Sequence, residues 1–249
     1  MLRSLLTGLT VSVFASSLVL AQEAKSCCTG GTEAKAKTVA SDGKCCTGEK
    51  SATLAKAGAN TPKMTFKVGD KSTCCPDEAQ KLASGDAKLV KYVVADKEFS
   101  DKSEALTAYG KLLDEHLSQI TTVKYAVGKE CMACPVSAGE LAKKEGKKVE
   151  YRLASFNFGD KEAAEKAAKS AKEAAEKVTM KVMVGDQSYH CATMAEAAAK
   201  SCGRTVEYVV GETRTPCNTT AQVELAKARI EAALTAIATV DGATLASAG

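Results

Sequence analysis

From residue 63 onward, apolar and polar positions follow one alternating pattern again and again. Met64-Thr65-Phe66-Lys67-Val68 and Val206-Glu207-Tyr208-Val209-Val210 place Phe, Tyr and Val on one face at every second residue. Period-two alternation of this kind predicts a half-buried strand. A Gly-Asp, Ala-Asp or Gly-Glu turn follows (Gly69-Asp70, Ala95-Asp96, Gly211-Glu212), then a short return segment. The period then lengthens to that of a helix. Ala105, Tyr109, Leu112, His116 and Ile120 line one face of a helix that opens with Asp101 and Glu104 at capping-box spacing. The helix from Asp160 to Lys177 is almost all Ala, Glu and Lys. Its apolar face is narrow and small, so it is expected to pack closely or to lie at an edge. Val223, Ala226, Ile230, Leu234 and Ile237 mark a third long helix.

The pattern recurs at fixed intervals. Val68-Gly69 returns as Val127-Gly128 and Val184-Gly185, and six residues after each glycine stand Cys75, Cys134 and Cys191. Tyr92, Tyr151 and Tyr208 follow those cysteines at one common distance, with Val90, Val149 and Val206 two residues before them. Three spacings held in three places predict a threefold repeat. Each copy is itself expected to be double, because Val94-Ala95-Asp96-Lys97 resembles Val68-Gly69-Asp70-Lys71. The expected fold class is therefore α+β: three tandem repeats of about 57 residues, each two hairpin–helix (ββα) half-units. The predicted boundaries are 63–121, 122–178 and 179–238, with 239–249 a small polar tail.

The first 62 residues read differently. Arg3 precedes an apolar run from Leu5 to Leu20, and Val19 and Ala21 suit a signal-peptidase site. Residues 1–21 are expected to be a signal peptide, so the mature chain is expected to be secreted or periplasmic, with no membrane segment after cleavage. Residues 22–62 hold only Val39 and Leu54 as branched aliphatics and no aromatic residue. That stretch is predicted to be a disordered tail. Over the whole chain 45% of residues are hydrophobic, 4% aromatic and 26% charged, with a net charge of +4. A near-balanced charge and so few aromatic rings argue against nucleic acid as a partner.

Cysteine carries the candidate chemistry. There are 11, an odd number, so at least one is not in an internal disulfide. Cys27-Cys28 and Cys45-Cys46 lie in the tail, and Cys74-Cys75 opens the folded part. The register places Cys75, Cys134, Cys191 and Cys217 just before helices, where Asp101 and Asp160 stand in the other half-units. A thiolate there meets exposed N–H groups and the positive end of the helix dipole. Second soft or borderline ligands stand beside three of them: Cys74, Cys131 (in Cys131-Met132-Ala133-Cys134) and His190. Cys74, Cys75, Cys131, Cys134, His190, Cys191 and Cys217 are thus the candidate metal ligands, for Cu(I) or Zn(II). Cys202 has no counterpart and is a candidate partner for Cys191 or Cys217. His116 is expected to be a core histidine, since the matching positions hold Ala175 and Ala232. There is no Ser–His–Asp or Cys–His set and no phosphate-binding glycine loop, so no enzyme class is indicated.

Residues 123–184, with Gly128, Cys131 and Cys134 between a strand and a helix, resemble a heavy-metal-associated domain. That resemblance implies a soft ion held by Cys131 and Cys134. Met132 lies inside this motif and Pro135 is foreign to it. The hairpin–Cys–helix order also resembles the small YHS and TRASH metal modules, whose several spaced cysteines are missing here. The function expected first is extracytoplasmic binding of a soft metal ion by thiolates at helix starts. A disulfide-held structural or interaction repeat is the alternative. Thiol–disulfide exchange through Cys131 and Cys134 is the third reading.

Overall fold

A computed structural model of the chain describes residues 58–246. The predicted signal segment, most of the predicted tail and the pairs Cys27-Cys28 and Cys45-Cys46 lie outside the described residues. Among the described residues the fold is mixed α+β, with six α-helices and three antiparallel sheets. No helix of this part is long and apolar enough to cross a membrane.

Hairpin and helix alternate along the chain. Strands β1 (Thr65–Val68) and β2 (Lys71–Thr73) precede α1 (Pro76–Leu82), and β3 (Lys91–Val94) and β4 (Lys97–Phe99) precede α2 (Lys102–Ile120). Next come β5 (Lys124–Val127), β6 (Glu130–Met132) and α3 (Pro135–Glu145), then β7 (Glu150–Leu153), β8 (Phe156–Phe158) and α4 (Lys161–Lys177). The last are β9 (Lys181–Val184), β10 (Gln187–Tyr189) and α5 (Ala192–Cys202), then β11 (Val206–Val210), β12 (Thr213–Thr215) and α6 (Asn218–Ala238). A two-residue strand, β13 (Thr244–Leu245), ends the order. The sheets run β2-β1-β3-β4, β6-β5-β7-β8-β13 and β10-β9-β11-β12.

In each sheet the first strands of two hairpins pair antiparallel at the centre, as in Phe66 opposite Tyr92 or Tyr125 opposite Tyr151. Their aromatic rings meet edge to face, at 5.7 Å and 5.8 Å between centroids. This geometry suits the ring quadrupole. The return strands flank this central pair, with β13 lying beyond β8 in the middle sheet, and they run in opposite directions. The two helices that follow them therefore start at opposite ends of the sheet.

The turns obey backbone sterics. Gly69, Gly128, Gly185 and Gly211 supply the positive φ that four hairpins require, whereas Ala95 (φ 46°) and Ala154 (φ 52°) occupy the same position in the other two. An alanine there carries a steric cost that glycine does not.

The short helices α1, α3 and α5 each cover a small core of their own. Ala79 and Ala83 meet Phe66 and Val90; Ala138 and Ala142 meet Val127; Ala195 and Ala199 meet Val182, Val184 and Tyr208. The large core belongs to the long helices, with α6 packed against both α2 and α4. Leu113, Ile230, Leu234 and Ile237 lie there with Leu153, Phe156 and Phe158 of the middle sheet. On α4 every residue of the buried face is alanine, from Ala164 and Ala167 to Ala175. Small side chains allow helix axes to approach toward the lower end of the usual 8–10 Å. The close packing expected of this helix is what the structure has.

Two expectations need correction. The buried stripe of α2 centres on Leu106, Tyr109 and Leu113, while Leu112 and His116 are only half-buried. The stripe turns because α2 must face α6 and its own sheet together. The segment 239–249 does not simply fade into a polar end: β13 pairs with β8, and the Ala246 N–H donates to the Ser155 carbonyl at 2.8 Å. Two residues are too few to show alternation in a sequence.

Ala95→Gly and Ala154→Gly should each stabilise the fold by about 0.5–1 kcal/mol, the relief of the left-handed strain less the entropy glycine adds to the unfolded chain. Leu113→Ala, at a fully buried site, should cost about 2–5 kcal/mol. Denaturant unfolding of the three variants measures both effects.

Candidate functional site

The return strand of each hairpin leads directly into a helix, and the connecting residue takes extended backbone angles before the helix begins. In four of the six helices that N-cap residue is cysteine: Cys75, Cys134, Cys191 and Cys217. In α2 and α4 it is Asp101 and Asp160, whose carboxylates accept from the N–H groups of Glu104 (2.9 Å) and of Glu162 and Ala163 (3.3 Å). Pro76 and Pro135 follow two of the cysteines, at a position where a helix has no use for an N–H. Thr73 and Thr215 fix the approach, each accepting from the N–H of the capping cysteine through its hydroxyl, at 3.1 Å and 3.2 Å.

None of the four sulfurs completes a cap hydrogen bond. The residue three positions into the helix distinguishes them. At Cys134 it is Ser137, whose N–H and hydroxyl, together with the N–H of Val136, hold the thiol below its ordinary pKa. At Cys217 it is Thr220, whose hydroxyl and N–H lower the thiol, helped by the N–H of Thr219 and the charge of Lys102. The lowering is an attraction between the thiolate and dipoles aimed at it. At Cys75 the third residue is Glu78, whose carboxylate accepts from the Thr73 hydroxyl. At Cys191 it is Met194, an exposed thioether.

All seven described cysteines are free, and six of them are exposed; Cys75 is half-buried. The topology explains why neighbouring caps are not bridged. Cys191 and Cys217 follow β10 and β12, the two edges of one sheet, at opposite ends. Three strand spacings alone separate them by about 14 Å, and a disulfide needs Cα atoms within about 7 Å. Cys191 and Cys217, the two capping cysteines of one sheet, thus stand too far apart to be joined directly. Cys202 is likewise free at the C-terminal end of α5, in a groove with Asp186, Gln187, Tyr189 and Arg204. His190 is exposed beside Cys191, and Cys74 is exposed beside Cys75. Among the described residues no three or more His, Cys, Asp or Glu side chains converge as metal ligands would.

The middle sheet holds the densest chemistry. Cys131 lies in β6 at the sheet edge, opposite Ala126. Its neighbour Met132 packs on the helix-covered face with Tyr125 and Val127, so Cys131 belongs to the free face. There Arg152 of β7 donates through Nη1 to the Cys131 sulfur at 3.1 Å and through Nη2 to the Gly128 carbonyl at 3.3 Å. Ala126 of β5 lies between them in the sheet and is fully buried. Its small side chain leaves the arginine a path across. Nε of Arg152 and Oδ1 of Asn157 are buried without partners, and these two residues face each other across β7 and β8.

Sequence reading named the thiols but missed Ser137, Thr220 and Arg152. The spacing that marks Asp101 and Glu104 as a cap also marks Cys134 with Ser137 and Cys217 with Thr220, so two of the three were within reach. Arg152 is one of only five arginines, yet its contact depends on strand pairing that spacing does not reveal. His116 lies half-buried, its pKa lowered by burial and then by Lys124.

Comparison with protein-family models, with curated proteins and with solved structures returns no match. The heavy-metal-associated resemblance also fails on topology. The Cys131–Cys134 motif begins on the return strand of a hairpin, and β9 pairs with β11 in a different sheet.

Ser137→Ala should raise the Cys134 thiol toward its ordinary pKa. A lowered thiol is more ionised at neutral pH, so the variant should be alkylated more slowly at pH 7 and should catch up as the pH rises. Site-resolved alkylation rates between pH 5 and 10 measure the shift.

Proposed function

We propose that this protein is an extracytoplasmic binder of soft metal ions that uses thiolates at helix starts. The observation that carries the reading is the recurrence of a free cysteine as N-cap in four helices. Two of these thiols are shifted toward the thiolate, the form that binds soft ions. Cys131 and Cys134 are the central pair. They offer two sulfurs at a solvent-facing sheet edge, which suits an ion content with two ligands, such as Cu(I), better than one that requires four. Cys74 with Cys75, His190 with Cys191, and Cys217 are further points of capture. The cysteine pairs of the predicted tail would collect or deliver the ion. Residues 63–238 are read as three tandem copies of one double hairpin–helix unit, which would place a thiol at equivalent positions in each.

Binding through thiols releases protons, so affinity should fall as the pH is lowered. The test is a titration of the reduced mature chain with Ag(I), a stable stand-in for Cu(I), under exclusion of oxygen. Cys131→Ser with Cys134→Ser should remove about one equivalent of tightly bound ion, while the circular dichroism spectrum is retained. An unchanged stoichiometry would end the role of this pair.

A further inference from the structure

The contact between Arg152 and Cys131 has no counterpart in the other two sheets. At the position of Cys131 they carry Ser72 and Ser188, each opposite the residue that matches Ala126 (Lys67 and Met183). At the position of Arg152 they carry Val93 and Val209. The thiol on a free sheet face and the arginine that reaches it occur together, in one sheet of three. The residue between them is alanine only there.

The charges of that face are also arranged differently. In the first sheet Glu98 pairs with Lys67 at 2.6 Å and Lys91 at 3.0 Å, and in the third Glu207 pairs with Arg214 at 3.5 Å. In the middle sheet Asn157 stands where the first has Glu98. Arg152 forms no ion pair there, its direct neighbour across β5 is Lys124, and the carboxylate on its own strand face is Glu150. The guanidinium is committed to the Cys131 sulfur and the Gly128 carbonyl. It is a fixed positive charge at one of the two sulfurs, and Glu150, which stands opposite Ala126 on the same face, forms no ion pair with it.

We propose that Arg152 selects the charge of the ion held by Cys131 and Cys134, favouring a monovalent soft cation over a divalent one. This inference rests on the reading of that pair as a soft-ion site. Two thiolates around a monovalent ion form a complex of charge −1, which the guanidinium neutralises. The same thiolates around a divalent ion form a neutral complex, to which a nearby cation adds nothing favourable. Groups that neighbour the ligands tune a metal site through such charge and hydrogen-bond effects. Arg152 acts here as a positioning residue through Cys131 and is not itself a ligand.

The test compares Ag(I) with Cd(II) on the reduced mature chain, each titrated against a competing chelator at fixed pH. Arg152→Gln should weaken Ag(I) by about tenfold and leave Cd(II) unchanged or tighter, so that the ratio of the two affinities falls. Arg152→Lys should restore part of the ratio. Ala126→Met keeps every charge but fills the arginine's path, and it should lower the same ratio. Equal fold-changes for both ions in Arg152→Gln, or no change in either, would overturn the inference. These outcomes are distinct from failure of the parent reading, in which Cys131→Ser with Cys134→Ser leaves Ag(I) stoichiometry as it was.

Discussion

The packing of α6 between α2 and α4 is the interaction on which the rest of the architecture depends. The small helices give each sheet only a handful of buried side chains, too few to offset the conformational entropy of sixty or so residues. The long helices supply what is missing. Their shared core takes side chains from α2, α4 and α6 and from the first and middle sheets. An all-alanine face on α4 is part of this arrangement, because a wider side chain there would push the helices apart. Further links pass between the same elements: the Lys227 ammonium sits 5.8 Å from the centre of the Tyr109 ring, and Arg229 donates to the Val178 carbonyl at 3.4 Å.

With the core assigned to the long helices, the helix starts are left free for chemistry. Each hairpin aims its return strand at a cap, and the cap residue is exposed or half-exposed because the helix packs through its other face. Aspartate at that position satisfies N–H groups outright and serves the fold. Cysteine satisfies them poorly, since no sulfur here completes a cap hydrogen bond. Four helices accept this weaker cap, and in two of them the N–H and hydroxyl of the residue three positions on draw the thiol below its ordinary pKa. The same turn of backbone thus serves stability in α2 and α4 and presents a reactive group elsewhere.

Much of the fold was legible in the sequence because each hairpin and helix is set by local pattern. Alternation at Phe66 and Val68, the glycines at the turns and the Ala, Glu and Lys run of α4 all act within one element. What stayed hidden depends on elements meeting. The face of α2 was misjudged at Leu112 and His116 because its partner, α6, lies a hundred residues further on. The Arg152 contact spans three strands and needs the register of each. Ser137 and Thr220 form a middle case: their positions obey a local rule, but a rule framed for carboxylates and hydroxyls, which does not announce itself when the cap is a thiol.

The strand β13 has a consequence for how the protein comes into being. Thr244 reaches back across 87 residues to the Asn157 carbonyl, and α6, which completes the large core, also comes late in the chain. A polypeptide that emerges from a ribosome or a membrane pore amino end first would have its first two sheets in hand while their shared core and one sheet edge still lay open. Folding would then close in a single late step, once the final thirty residues had arrived. Until that moment the apolar faces of α2 and α4 would stand open to solvent.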